Sequence, residues 1–163
     1  MPVSQKFKYI EENLTNILYT MVTNQNLLRY ISYLDDDPLD PSKPDITSNL
    51  IGTQIMLIPF DLNVLTKQEI NLFINPVQGD LSVKRPIGTH TFIIDIVVPN
   101  KFWLLKGKIR AFRIADEIAS NIDGLNIAGI GWVEINRYKI YSLNNAFSSL
   151  SLFVDVGGVT VKA

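Results

Sequence analysis

One segment, Thr89 to Gly124, constrains the fold more than any other. It reads THTFIIDIVVPNKFWLLKGKIRAFRIADEIASNIDG. Thr89 to Val98 is β-branched and aromatic, with no glycine before the stop at Pro99. That is the composition and length of a buried strand. From Lys108 to Ile122 the period changes. Ile109, Phe112, Ala115, Ile118, Ala119 and Ile122 recur at helical spacing, with Arg110, Arg113, Asp116, Glu117, Ser120 and Asn121 between them. Asp123-Gly124 ends the pattern, because glycine accepts the left-handed conformation that follows a helix. A strand therefore runs into an amphipathic helix that can lie back across the sheet to which the strand belongs.

The rest of the chain completes that layer. Ser4 to Leu34 reads as helix, with Phe7, Ile10, Leu14, Ile17, Leu18, Met21, Leu28 and Ile31 as its apolar stripe and Ser4 as a cap. The poor helix formers Thr23 to Asn26 place a break there, giving one helix to about Met21 and a second from Gln25. Asp35 to Asn49 holds three prolines and five aspartates and reads as a solvated acidic loop. It lacks the glycine turn and distal glutamate of an EF-hand. Leu50 to Phe60 and Glu69 to Asn75 read as strands, and Pro76 to Gly88 as a long loop or arm. Trp132 to Ile135 and Tyr138 to Ser142 read as strand around a kink at Asn136-Arg137. Asn144-Asn145 is a turn. Ser148 to Val156 alternates, with Leu150, Leu152, Val154 and Val156 on a buried face and Ser149, Ser151, Phe153 and Asp155 on the other. The expected class is α+β, one domain over 1–163, with a mostly antiparallel sheet of four to five strands packed against two helices, one N-terminal and one central.

Chemistry is sparse. With no cysteine and one histidine, zinc sites and cysteine or serine–histidine nucleophile systems have too few parts. His90, at a strand start, reads as a hydrogen-bonded structural residue. Gly129-Ile130-Gly131 enters a strand instead of opening a helix, so it is not a dinucleotide fingerprint. No catalytic residue, metal or cofactor is expected. Net charge is −1, from 15 basic and 16 acidic residues, which argues against bulk electrostatic binding to nucleic acid. The charge is uneven, however. Lys84, Arg85, Lys101, Lys106, Lys108, Arg110 and Arg113 face only Asp95 within their stretch, and acidic residues concentrate before position 62. Two readings stay open: ordinary solvated charge, or opposite patches that stack against copies of the chain or a charged partner. The start of the chain lacks a signal-peptide core, and no apolar run approaches a membrane span. A virion or cytoplasmic setting is the expectation.

The order of elements resembles the tail terminator and tail-completion proteins of long-tailed bacteriophages. The matching stretches are the leading helix, Phe7 to Leu34; the strand His90 to Val98; the helix Arg110-Ala111-Phe112-Arg113-Ile114-Ala115-Asp116-Glu117-Ile118; and Ile127-Ala128-Gly129-Ile130-Gly131-Trp132. The resemblance implies a ring, commonly of six copies, that caps the tail tube and offers a docking face to the head connector, with DNA passing through its centre. Partners would be the chain itself, the tube protein and the connector. Lys106, Lys108, Arg110 and Arg113 are then candidates for inter-subunit or pore-facing charge. Asp35, Asp36 and Asp37, with Asp80, Lys84 and Arg85, are candidates for loops that touch tube or connector. The alternatives are another neck or tube component, and a small α+β nucleic-acid-binding module that uses the basic stretch.

Overall fold

The computed structural model describes residues 6–60, 65–79, 90–124, 126–127 and 131–157. Ser4, the arm from Asp80 to Gly88, Ala128-Gly129-Ile130 and the last six residues lie outside them. Three helices, α1 (Lys6–Val22), α2 (Gln25–Ser32) and α3 (Arg110–Ile122), share a core with one face of a six-stranded sheet. The sheet strands are β1 (Ile55–Met56), β2 (Asn71–Gly79), β3 (His90–Pro99), β6 (Asn126–Ile127), β7 (Gly131–Ser142) and β8 (Phe147–Val156), in the order β1-β2-β3-β8-β7-β6. Among the described strand pairs of this sheet, only β1 with β2 is parallel. β4 (Leu104–Leu105) and β5 (Lys108–Ile109) form a separate small hairpin. The class is α+β as expected, with four long strands and two short ones at the ends.

β3 is central because its face toward the helices is buried along its whole length. Ile94 sits between Ile74 and Leu152, and Phe92, Ile94, Ile96 and Val98 all point into the helical core. Fully burying such a side chain contributes about 1.5–3 kcal/mol. The helix break falls where Thr23 to Asn26 predicts it. Asn24 takes an extended conformation (φ −86°, ψ 104°) and its side chain accepts from the Leu27 amide at 3.1 Å, capping α2. The same side chain donates to Glu117 Oε2 (2.9 Å) and Asn121 Oδ1 (3.0 Å), so the cap also clamps α2 to α3.

Four expectations need correction. Leu50 to Phe60 is not a strand. Leu50 O gathers the amides of Thr53, Gln54 and Ile55 into a turn, Gly52 adopts φ 84°, and only Ile55 and Met56 pair with β2. Pro76 to Gly79 belongs to β2, not to a loop. The second face of β8 is not open along its length. Ser149 and Ser151 are both 3% exposed, because a smaller cluster of Met56, Phe73, Val97 and Phe147 covers that end of the sheet, with Phe60 and Leu65 packed on it. Finally, α3 is rotated from the face its spacing predicts. Its buried stripe is Arg110, Ala111, Ile114, Ile118 and Ile122, and Phe112 is turned outward, 36% exposed.

Two local features match the sequence closely. The register of β7 against β8 shifts between Ile135 and Arg137, which makes Asn136 a bulge at the expected kink. His90 is buried at the start of β3, opposite Gly79, and its ring occupies the space that a side chain at Gly79 would need.

Candidate functional site

The residues singled out for their charge converge, although they lie some seventy positions apart in the chain. Asp36, Asp37, Lys106, Lys108 and Arg113, with Tyr30, line one open cleft of about 280 Å³. The hairpin β4–β5 carries Lys106 to its tip. Lys106 and Gly107 both have positive φ (49° and 77°), the geometry of a tight two-residue hairpin turn. From there Lys106 reaches Asp37 at 3.4 Å. Both partners are more than half exposed, so the pair contributes at most ~1 kcal/mol.

Arg110 holds the arrangement together from inside. It is the first residue of α3 and is fully buried. Its Nε donates to Phe102 O (2.9 Å), one terminal nitrogen to Tyr33 O (3.1 Å) and the other to Leu34 O (3.1 Å) and Asp35 O (2.7 Å). Three of these carbonyls lie just past the C-terminus of α2, where the helix dipole favours a cation. Burial pulls the guanidinium's pKa below its ordinary value, and the charges of Asp35 and Asp36 oppose the shift. The expectation that Arg110 faces a neighbouring subunit or a pore is therefore wrong. Its donors are consumed within the protomer.

The acidic loop is fastened in the same way. Gln25 exchanges two bonds of 3.0 Å with the backbone of Ile46, Arg29 donates to the carbonyls of Asp40 and Lys43, and Tyr33 Oη bonds Pro44 O. Lys43 folds back so that its ammonium meets Asp35 Oδ1 and Asp37 O. That hydrogen bond from Lys43 holds the Asp35 carboxyl below its ordinary pKa. The side chains of Asp35, Asp36 and Asp37 remain exposed, but the loop they stand on is a docked segment and not a free arm. Lys108 is exposed, and Arg113 is paired at 3.6 Å with Asp116 on its own helix. Asp80, Lys84 and Arg85 lie outside the described residues.

A second surface carries less charge and more unsatisfied area. Phe112, turned out of the core, meets Tyr138 of β7 edge-to-face, with ring centroids 5.9 Å apart. With Ala115, Ile135, Leu150 and Leu152 they line a groove of about 560 Å³ between α3 and the sheet, whose rim also holds Arg113, Asp116, Asn136 and Arg137. Along β7, Trp132, Tyr138, Ile140 and Tyr141 are 50, 62, 44 and 37% exposed. Of these, Tyr138 and Ile140 share the α3 side of the sheet, and large side chains grouped on one face mark a contact surface more than scattered exposure does. The sequence carried one sign of it, the aromatic run Tyr138-Lys139-Ile140-Tyr141. Nothing in the spacing told that the strand beyond β7 would be only two residues long.

Elsewhere on the sheet, Asp95 is largely buried between β3 and β8, hydrogen-bonded by Ser151, and burial raises its pKa above the usual 3.8. Among the described residues no three histidine, cysteine or acidic side chains form a group that could hold a metal ion.

No curated protein matches the chain. The YomW family does, over residues 24–156, which run from the Asn24 cap to the last residue of β8 and so include both surfaces described above. The chain therefore belongs to the YomW family, a phage-associated family.

Proposed function

We propose that this protein is a structural component of a phage particle, a tail terminator or neck ring that acts by associating with copies of itself and catalyses no reaction. Its other partners are the tail tube and the head connector, and DNA passes through the ring without sequence-specific contact. It resides in the virion neck, and in the host cytoplasm during assembly. Membership of a phage-associated family supports the general setting. The observation that carries the finer reading is the exposed apolar flank of β7 and α3, where Tyr138 and Ile140 stand 62 and 44% exposed on a long strand near one end of the sheet. A ring needs two different surfaces that meet head to tail. The other end of the sheet offers the second, since β2 runs beyond two-residue β1 and carries Val77 half exposed.

Native mass spectrometry of the purified chain, with electron microscopy of the same sample, tests this. A closed oligomer supports a terminator. Open filaments support a tube component instead. A monomer at every concentration, absent from finished particles, overturns the assembly reading, and salt-dependent DNA binding by that monomer favours the nucleic-acid module.

A further inference from the structure

The outer edge of β7 is open over only part of its length, and the hydrogen bonds locate that part. Near its start the edge is occupied: Gly124 N donates to Val133 O (2.8 Å), Ile135 N donates to Asp123 Oδ1 (2.8 Å), and β6 pairs with Gly131 and Trp132. After the bulge nothing among the described residues pairs with it. At the far end Leu143 N donates to Phe147 O. Antiparallel alternation from that bond turns the backbone of Arg137, Lys139 and Tyr141 toward β8, and that of Tyr138, Ile140 and Ser142 outward. The side chains sort by face as well. Tyr138 and Ile140 lie on the side of the α3 groove. Arg137 and Lys139 lie on the other face, where they cover the rings of Phe153 (4.1 Å) and Tyr141 (4.7 Å). Among the described residues neither cation makes an ion pair.

We propose that Tyr138 to Ser142 is an acceptor edge for an extended segment of a partner protein in which apolar and acidic residues alternate. Main-chain bonds to Tyr138, Ile140 and Ser142 would hold that segment as an added strand. Its apolar residues enter the groove beside Phe112 and Tyr138, and its carboxylates stand beside Arg137 and Lys139. A second copy of β7 is the competing occupant. Antiparallel pairing centred on Lys139 sets Lys139 against Lys139, and like charges directly opposite repel. Two cations on an open edge are also a common guard against self-pairing. The inference gives this edge to a partner segment, which competes with the contact between copies proposed above for the same flank, so ring formation and strand binding are measured separately.

The probe is a short fluorescent peptide alternating valine and glutamate, read by anisotropy against the full chain, beside a valine–lysine peptide of equal length. The glutamate peptide is expected to bind at least about tenfold more tightly, since two exposed charge pairs turn from attraction to repulsion. Bound peptide should slow amide exchange at Tyr138, Ile140 and Ser142. The double variant Arg137→Glu/Lys139→Glu should reverse the preference. Ile140→Pro removes an outward amide that β8 does not use, and should abolish binding while exchange in the β7–β8 ladder stays slow. The proposal fails if neither peptide binds at millimolar concentration, if both bind alike, or if charge reversal leaves the preference unchanged. It fails too if the three amides are protected without peptide in a concentration-dependent way, which would give the edge to a second copy.

Discussion

Arg110→Met isolates the contribution of the buried guanidinium, because methionine keeps an unbranched apolar stem and removes all five donors. Four carbonyls then lose a partner: Phe102, Tyr33, Leu34 and Asp35. A buried acceptor left unsatisfied costs ~1–3 kcal/mol. Asp35 lies at the exposed end of the set and will recover water, and Leu34 in part. Removing the cation also relieves its desolvation, a cost of several kcal/mol for a buried ion. Two or three stranded carbonyls cost ~2–9 kcal/mol, and the relief offsets several kcal/mol of that, which centres the expected net loss at about 2 kcal/mol. Urea denaturation followed by circular dichroism measures it, with the slope unchanged if the denatured state is unaffected. Amide exchange supplies a local readout. Arg110 ties the start of the acidic loop to α3, so exchange from Tyr33 to Ile46 should quicken before the sheet does. Arg110→Lys keeps the charge but not the planar fork and should recover only part of the loss. A loss below ~1 kcal/mol for Arg110→Met, with loop exchange unaltered, would refute the view that this residue organises the charged cleft.

Two further outcomes follow from single contacts. Asp95 has a folded-state pKa above its unfolded value, so protonation favours the folded chain; that stability is present below pH 3.8 and is lost as pH rises through the folded pKa. Asp95→Asn should therefore raise the melting temperature at pH 7 and leave it nearly unchanged at pH 3, and a lower melting temperature at pH 7 would mean that the carboxylate has a favourable partner. Asn24→Ala removes the α2 cap and both bonds to α3, with an expected loss of about 2 kcal/mol in urea, roughly half from the cap; an effect within experimental error would deny the clamp.

How far the chain could be read in advance depended on where the determining forces lay. Phe92, Ile94, Ile96 and Val98 make one face of Thr89 to Val98 apolar along its length, and a strand that packs on helices accommodates that, so β3 was legible. The break at Asn24 and the kink at Asn136 were legible because both arise from local backbone chemistry. The strand expected over Leu50 to Phe60 failed for the opposite reason: Gly52 permits a turn that composition does not reveal, and the apolar residues divide between the main core, which takes Leu50 and Ile55, and the small second one, which takes Met56. The face of α3 failed over its first turns, where Arg110, Ala111 and Ile114 are buried and Phe112 is exposed. Helical spacing treats arginine as solvent-facing, yet four carbonyls from distant segments draw Arg110 inward and carry the stripe round to Ile114. No periodicity within α3 could report on the end of α2.

The same event decides what the charged residues can do. In the chain an acidic loop and a basic segment stand apart, and their separation invites pairing between copies. Folding brings them together first. Arg110 is consumed by the loop backbone, Lys43 by Asp35 and Asp37, and Lys106 reaches Asp37, so part of that charge is paired within the chain, while Asp36 and Lys108 stay exposed. Rotating α3 to bury Arg110 also leaves Phe112 outside, beside Tyr138. One internal interaction thus removes charge from the first candidate surface and adds an aromatic side chain to the second. If association were driven by the acidic and basic segments, raising salt should dissolve the oligomer. If it runs through the flank of α3 and β7, apolar burial governs, and a moderate rise in salt should leave the oligomer intact while Phe112→Ala or Tyr138→Ala weakens it.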